Sequence, residues 1–495
     1  MGRTVASSAA VSPDAGQEFF YARQWPLIVF GIFAVLAFPP AIISHAHLFA
    51  DGSAFFAGIL ESGNLHMPGR TIARAGHHFL TQSAVVAAMR FNITSIAHLS
   101  YLYGAALYYL PWLGYALSSW IFLRSGRPFH AFLIALMYSI LVCFTGFFVI
   151  SESHLAASLF VLTITILSVC DLTRIRVQCA LLVLWVFTVL CYEFWAIFFI
   201  VSLVFLLSAV IRTARIKGAT PPFLTVAILY LLGIIINAYM IFNAPYSGNR
   251  DAMFGEHFSW VKRHFFIISA IFTIIMVYAS ICLAIQSKSR IPGWLKNIPR
   301  KTNEAFRNPL TYIGHGLLII WCLRKTRSYQ MGEPSATYLL RSLNLALPLL
   351  FSVFLLVSSH RFFHSQVSVC SDYLLGSFFL VVLFVAIHAF LFHVFGWRDF
   401  HRRVYQATQN SSGYVEAGRA LSGHQYYAWS WTYPTTSLLV QAMKSQNVKS
   451  VIYSPEQTME PFGPQEIDRA RKFMDKIGVS LDSGALTTEN TKGAE

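Results

Sequence analysis

Apolar runs separated by short polar clusters fill the chain from Trp25 to Phe395. A helix needs about twenty residues to cross a hydrocarbon core roughly 30 Å thick, and about ten runs approach that length. They are Trp25 to Ser44, Ala97 to Leu123, Phe129 to Ile150, Leu155 to Cys170, Val177 to Cys191, Phe194 to Ile211, Pro222 to Asn243, Phe265 to Gln286, Leu339 to Ser358 and Tyr373 to Phe395. No barrel-like alternation is present, and only helices satisfy their own backbone in lipid, so each run predicts a helix. The pattern predicts an all-α polytopic membrane protein.

The polar clusters between the runs alternate in charge. "RSGRP", "DLTRIR", "RTARIK" and the segment from Lys288 to Arg307, with six Lys or Arg, follow every second span, and the positive-inside rule puts them in the cytoplasm. "SESH" at 151 and "YE" at 192 carry acids without Lys or Arg and are expected outside. As one helix, Val177 to Ile211 would be about 52 Å long and would put "RTARIK" outside. A hairpin of two short legs fits better, with its turn at Tyr192 and Glu193 set below the outer surface. The run from Leu310 to Leu323 reads as interfacial or re-entrant, which leaves "SSHRFFHSQVSVCSD" outside and the last hundred residues in the cytoplasm.

Three regions follow. Residues 1–24 are polar and small and read as a cytoplasmic N-terminal segment, with the run from Trp25 retained as a span rather than cleaved as a signal peptide. Residues 25–395 form the transmembrane region. Residues 396–495 change composition and read as a small α/β soluble appendage, with a strand at "SVIYS", a helix from Pro464 to near Gly478 and a disordered end.

Composition agrees with this picture. The 495 residues are 56% hydrophobic and 12% charged, a balance foreign to a soluble domain of this length. The net charge of +15 resides in the inter-span clusters, and no nucleic-acid module accompanies it. The seven cysteines show no CxxC or Cys/His pairing, so neither a disulfide framework nor a zinc site is expected.

Candidate chemistry gathers in the first outer loop, residues 45–96, which is longer than a connection between two helices requires. Its mixture of apolar, small and polar residues predicts short interfacial helices. Asp51 lies in "HAHLFADGSAFF" beside phenylalanines, where lost hydration raises a carboxyl pKa toward the range of a general base; it also reads as a helix N-cap. Glu61 would lie about 80° from Asp51 around a continuous helix, so the two need not form a pair. The loop also carries Arg70, Arg74, His77 and His78, and other outer loops carry Arg250, His360 and Arg361. Cations on the outer face run against the topology trend, and a bound anion would account for them; anchoring to anionic lipid headgroups is the simpler alternative. Glu152 and Glu193 sit at helix turns, as solvated acids or as substrate contacts, with His154 beside the first.

The helix count, the long first loop with Asp51 just past the first span, "SESH" opening the fourth span and "YE" at the fifth hairpin resemble the GT-C class of polytopic membrane glycosyltransferases. The resemblance covers roughly residues 20 to 395. It implies a polyprenyl-phosphate or polyprenyl-diphosphate sugar donor, a glycan or lipid acceptor on the outer face, and a catalytic acid in the first outer loop, here Asp51. By the same resemblance Glu152 and Glu193 are weaker candidates, and the enzyme would sit in a bacterial inner membrane; Glu61, Arg70, Arg74, His77, His78, His154, Arg250, His360 and Arg361 are candidate substrate contacts from their places in the outer loops and at their edges. Asp51 is followed by Gly52, so the paired acidic motif of some branches is absent; no metal ligand is assigned, and a divalent cofactor is left open. Two other classes remain: a transporter or lipid-linked saccharide flippase, and another membrane transferase such as an acyltransferase, polymerase or ligase. Ionisable residues at the rim, without repeated halves, weigh against transport.

Overall fold

A computed structural model describes residues 25–49, 51–67, 74–145, 152–191, 196–217, 228–236, 239, 346–352, 355, 372–421, 432–445, 447–455, 462 and 466–481. The described chain is mostly helical, and three helices are long and apolar enough to cross a membrane: Trp25–Ile43, Glu152–Val169 and Val382–Gln409. Of the ten expected runs, Phe265 to Gln286 lies outside the described residues, and Phe129 to Ile150, Phe194 to Ile211, Pro222 to Asn243 and Leu339 to Ser358 are described only in part.

Helix α1 (Trp25–Ile43) widens into a π-turn at Phe33–Ala37 just before Pro39 and Pro40. Prolines lack the N–H that closes a helical bond and crowd the preceding turn, and a local change of helix pitch absorbs both effects. His45 then takes a left-handed conformation, φ 57°, and turns the chain into a single 3-10 turn, Ala46–Leu48. The loop continues as α2 (Asp51–Ser62) and α3 (Ala75–Arg90), the short helices that its composition predicts.

The bundle proper contains α4 (Ile96–Arg124), α5 (Pro128–Thr145), α6 (Glu152–Val169), α7 (Ile175–Val189) and α8 (Ala196–Lys217). Ser95 starts α4 by accepting a hydrogen bond from the His98 amide, and Gly126 at φ +70° ends its last turn at low steric cost. At Gly114, an added Cβ would lie 2.9 Å from the Ser158 side chain, so the missing side chain allows α4 and α6 to approach closely. Helix α6 is buried at nearly every position from Glu152 to Leu167, which makes it the central helix. The Tyr109 hydroxyl and the Trp112 indole of α4 donate to the carbonyls of Ala34 and Phe30 in α1, at 2.7 and 3.0 Å. Cys170, Cys179 and Cys191 are free thiols.

The bundle has two distinct ends. One carries the turns Arg124–Pro128 and Asp171–Ile175, with basic side chains. The other carries the first loop, Glu152, and Leu190 with Cys191, where α7 stops before α8 begins at Ala196. The amide of Gly76 donates to the Leu190 carbonyl at 2.7 Å, so α3 closes over the end of α7. This break agrees with the hairpin reading, although Tyr192 and Glu193 themselves lie outside the described residues.

The C-terminal part overturns the expected topology. Helix α9 (Asp372–Gln409) continues through residue 396, where a domain boundary was expected. It runs parallel to α1: Phe390 packs on Phe38 at 6.2 Å, and Trp397 donates to the Ser44 carbonyl at 3.0 Å. It therefore arrives at the first-loop end rather than leaving from it. Strand β1 (Gly413–Glu416) follows, then α10 (Ala417–Ala420), α11 (Tyr433–Lys444), β2 (Asn447–Val448), β3 (Ser450–Tyr453), α12 (Ile467–Lys476) and β4 (Ser480–Leu481). Strand β1 pairs in parallel with β3, and β2 with β4. This segment packs on α2, with the Thr436 hydroxyl donating to Ser53 at 3.1 Å. Chain segments in contact share one side of whatever membrane the bundle crosses, so the last hundred residues cannot face the cytoplasm while the first loop faces out.

Candidate functional site

Two of the acids singled out from the sequence open helices at the first-loop end of the bundle. Asp51 is the first residue of α2, half-buried, and Glu152 is the first residue of α6, 5% exposed. Both carboxylates act electrostatically on Tyr103 of α4, which is fully buried and stacks on Phe56 of α2 with ring centroids 5.7 Å apart. The Tyr103 hydroxyl has no hydrogen-bond partner among the described residues. Each acid opens a helix, where the macrodipole favours negative charge; this gives the N-terminal role of Asp51 a physical basis compatible with a chemical one.

Arg74 stands at the start of α3, and its guanidinium Nη1 lies 3.1 Å from Glu152 Oε1. Its side chain is 24% exposed against 6% for Glu152, so the cation reaches solvent while the acid does not. His77 follows one turn into α3, with its ring 1% exposed and both ring nitrogens without a hydrogen-bond partner among the described residues. Burial lowers its pKa to about 4, with Arg74 lowering it further and Glu152 opposing, so the ring is neutral near pH 7.

His78 is oriented through a backbone staple. Gln82 Nε2 donates to the His66 carbonyl at 3.0 Å, Gln82 Oε1 accepts from the His66 amide at 2.8 Å, and Gln82 Nε2 lies 2.9 Å from His78 Nδ1. Nδ1 is therefore an acceptor and the proton of the neutral ring sits on Nε2. His66 in turn covers Gly58, where an added Cβ would lie 2.3 Å from its ring. Burial and the neighbouring His77 push the His78 pKa down to about 3.

A second histidine cluster lies beside the first. The Ser100 hydroxyl bridges His45 Nδ1 and His47 Nε2, each at 2.8 Å, and His45 stacks on Tyr101 at 4.9 Å. His401 of α9 lies 5.9 Å from His45 by ring centroid. Burial first, and Lys444 second, lower the His45 pKa to about 4. Among the described residues no group of three or more His, Cys, Asp or Glu side chains is arranged to hold a metal ion.

Not every candidate joins the site. Glu61 sits at the far end of α2, about 15 Å along the axis from Asp51, and pairs with Arg469 of α12 at 3.3 Å. His154 points about 200° around α6 from Glu152 and packs on Tyr115 and Tyr138, at 6.1 and 6.5 Å. Arg70, Glu193, Arg250, His360 and Arg361 lie outside the described residues. The sequence reading missed Tyr103, Ser100, His401 and Lys444. A signal for the first two was present: Ser100, Tyr103 and Gly104 fall at helical spacing on one face of an otherwise apolar span.

No family model matches the chain, and no curated protein or solved structure is found similar to it.

Proposed function

We propose that the chain is a multi-pass membrane glycosyltransferase of the GT-C kind, set in a bacterial inner membrane. It moves a sugar from a polyprenyl-phosphate or polyprenyl-diphosphate donor to a hydroxyl of a glycan or lipid at the first-loop end of the bundle. The observation that carries this reading is the partly exposed Arg74 guanidinium, 3.1 Å from the Glu152 carboxylate at the end of the bundle where Asp51 opens α2.

In this mechanism Asp51 takes the proton of the acceptor hydroxyl as its oxygen attacks the anomeric carbon. The bond from that carbon to the phosphate oxygen breaks on the opposite face, with inversion, and the lipid phosphate leaves with the bonding pair. Charge accumulates on the departing phosphate, where the partly exposed Arg74 guanidinium stabilises it more than in the ground state. Neutral His77 offers a hydrogen bond to a sugar hydroxyl without adding charge beside Arg74. The lipid tail lies between apolar helices.

The test uses purified protein in nanodiscs with a panel of polyprenyl-phosphate sugars, scoring release of the lipid phosphate. Asp51→Asn should insert normally and lose about 10²- to 10⁴-fold in transfer rate, the usual contribution of a general base. Undiminished transfer by the inserted variant would refute the assignment of Asp51. Absence of release with every donor, together with substrate movement across vesicles, would favour transport.

A further inference from the structure

Helix α2 has little reason to be a helix by itself. It has 12 residues, including Gly52 and Gly58, and isolated helices under about 12–15 residues are marginal even without glycine. Tertiary contacts must hold it, and they come from two sides. Phe55 and Gly58 lie within about 40° of Asp51 around the axis, and they meet His78 and His66. Ser53 lies about 200° from Asp51, and there the Thr436 hydroxyl of α11 reaches across 383 residues of sequence to bond it. Both hydroxyl-bearing residues are buried, at 0% and 2% exposure. At the opposite end, the Lys476 ammonium donates to the Glu61 carbonyl and Arg469 meets the Glu61 carboxylate. Carbonyls of a last helical turn lack intrahelical donors, and cations are favoured there.

Helix α11 is itself firmly built in. Every residue from Tyr433 to Ala442 is buried, and Gln441 bonds to the Ser450 carbonyl and the Lys449 amide, tying the helix to β3. Ser450 donates to the Thr408 carbonyl at the end of α9.

We propose that the C-terminal segment is a clamp that sets the rotation of α2, with Thr436 as a positioning residue for Asp51. The contact stands by itself, and its catalytic consequence rests on the reading of Asp51 as the base. A clamp at Ser53 works from the face turned away from Asp51, so it orients the acid without occupying the space a substrate would need.

The test compares three full-length proteins in nanodiscs: the parent, Thr436→Leu, and the pair S53C/T436C under mild oxidation. Hydrogen exchange across residues 51–62 should quicken by about tenfold in Thr436→Leu, with α4 unchanged, and oxidation of the cysteine pair should link residues 53 and 436 and keep parental protection. With a donor that the parent uses, Thr436→Leu should lower kcat by about tenfold and leave the donor KM within about twofold, because orientation of a base is felt in the transition state. Unaltered exchange in Thr436→Leu, or two reactive cysteines that fail to link, would overturn the clamp. Faster exchange in the variant combined with no transfer by the parent would leave the clamp standing and remove the glycosyltransferase reading instead.

Discussion

Arg74 and Glu152 approach to 3.1 Å where the first loop meets the bundle, and Arg469 and Glu61 approach to 3.3 Å on the loop's outer side. Chemistry and separation match, while surroundings differ: the inner side chains are 24% and 6% exposed, the outer ones 46% and 36%. Water screens the outer pair and solvates either ion left alone, so such a pair contributes about 0–1 kcal/mol. The Glu152 carboxylate has no such refuge. Removing the Arg74 guanidinium would take a cation from beside a charge that water does not reach, a change that costs up to about 3–5 kcal/mol in buried pairs. A short Arg–Glu distance therefore says little about stability until burial is known.

Arg74→Ala should have the largest effect, destabilising the protein by up to about 3–5 kcal/mol, measured by thermal unfolding in detergent. A loss under about 1 kcal/mol would mean that water or other protein groups satisfy Glu152, and the distinction between the pairs would collapse. Acidification should come next. His77 and His45 have folded-state pKa values lowered from 6.5 to about 4 by burial, with Arg74 lowering and Glu152 raising the first, and Lys444 lowering the second. A lowered histidine pKa means that the unfolded chain binds the proton more readily. Their contribution to stability is thus complete above about pH 6.5 and fades as pH falls toward about 4. Unfolding followed from pH 7.5 to 4 should show this decline, and substitution of both histidines by Gln should make it shallower, with His78, whose pKa burial lowers to about 3, carrying part of the remainder.

Gly104→Ala should follow in size. The added Cβ would lie 2.3 Å from His47 Nδ1 in a fully buried site, and such overpacking costs about 1–3 kcal/mol. An unchanged unfolding temperature would mean that the His45, His47 and Ser100 cluster is loose. The smallest effect belongs to Arg469→Ala, expected under about 1 kcal/mol and vanishing at high salt. A larger, salt-resistant loss would place the outer pair in the same class as the inner one.

Much of the local structure was legible in the sequence. The long apolar runs mark helices, "SVIYS" marks β3, and the segment between Pro464 and Gly478 marks α12. The short helices of the first loop were legible from their composition, and the places of Asp51 and Glu152 at helix starts from the edges of apolar runs. The separation of Asp51 from Glu61 was also readable, since 3.6 residues per turn set their angle. The membership of the site was not. Glu152 and His154 are two residues apart, yet one meets Arg74 and the other packs on Tyr115 and Tyr138. Which face of α6 turns toward α3 depends on how a helix buried on all sides packs among its neighbours, and a uniformly apolar helix carries no stripe from which to read it.

The direction of α9 failed for a related reason. Charge counting assigns each loop a side by its own Lys and Arg, and an error in one span inverts everything after it. The placement of the C-terminal segment was decided by Thr436 meeting Ser53 and Trp397 meeting Ser44, contacts 383 and 353 residues apart. What is local followed from the residues alone: where the backbone must bond within its own helix, where turns fall, and which residue types stand at the rim. Which rim residues lie together, and that the C-terminal segment backs the loop that bears Asp51, came from packing between distant segments. Those choices rest on contacts between segments whose hydrophobic patterns are alike, and burial, which separates one Arg–Glu pair from the other, is a property of the packed molecule.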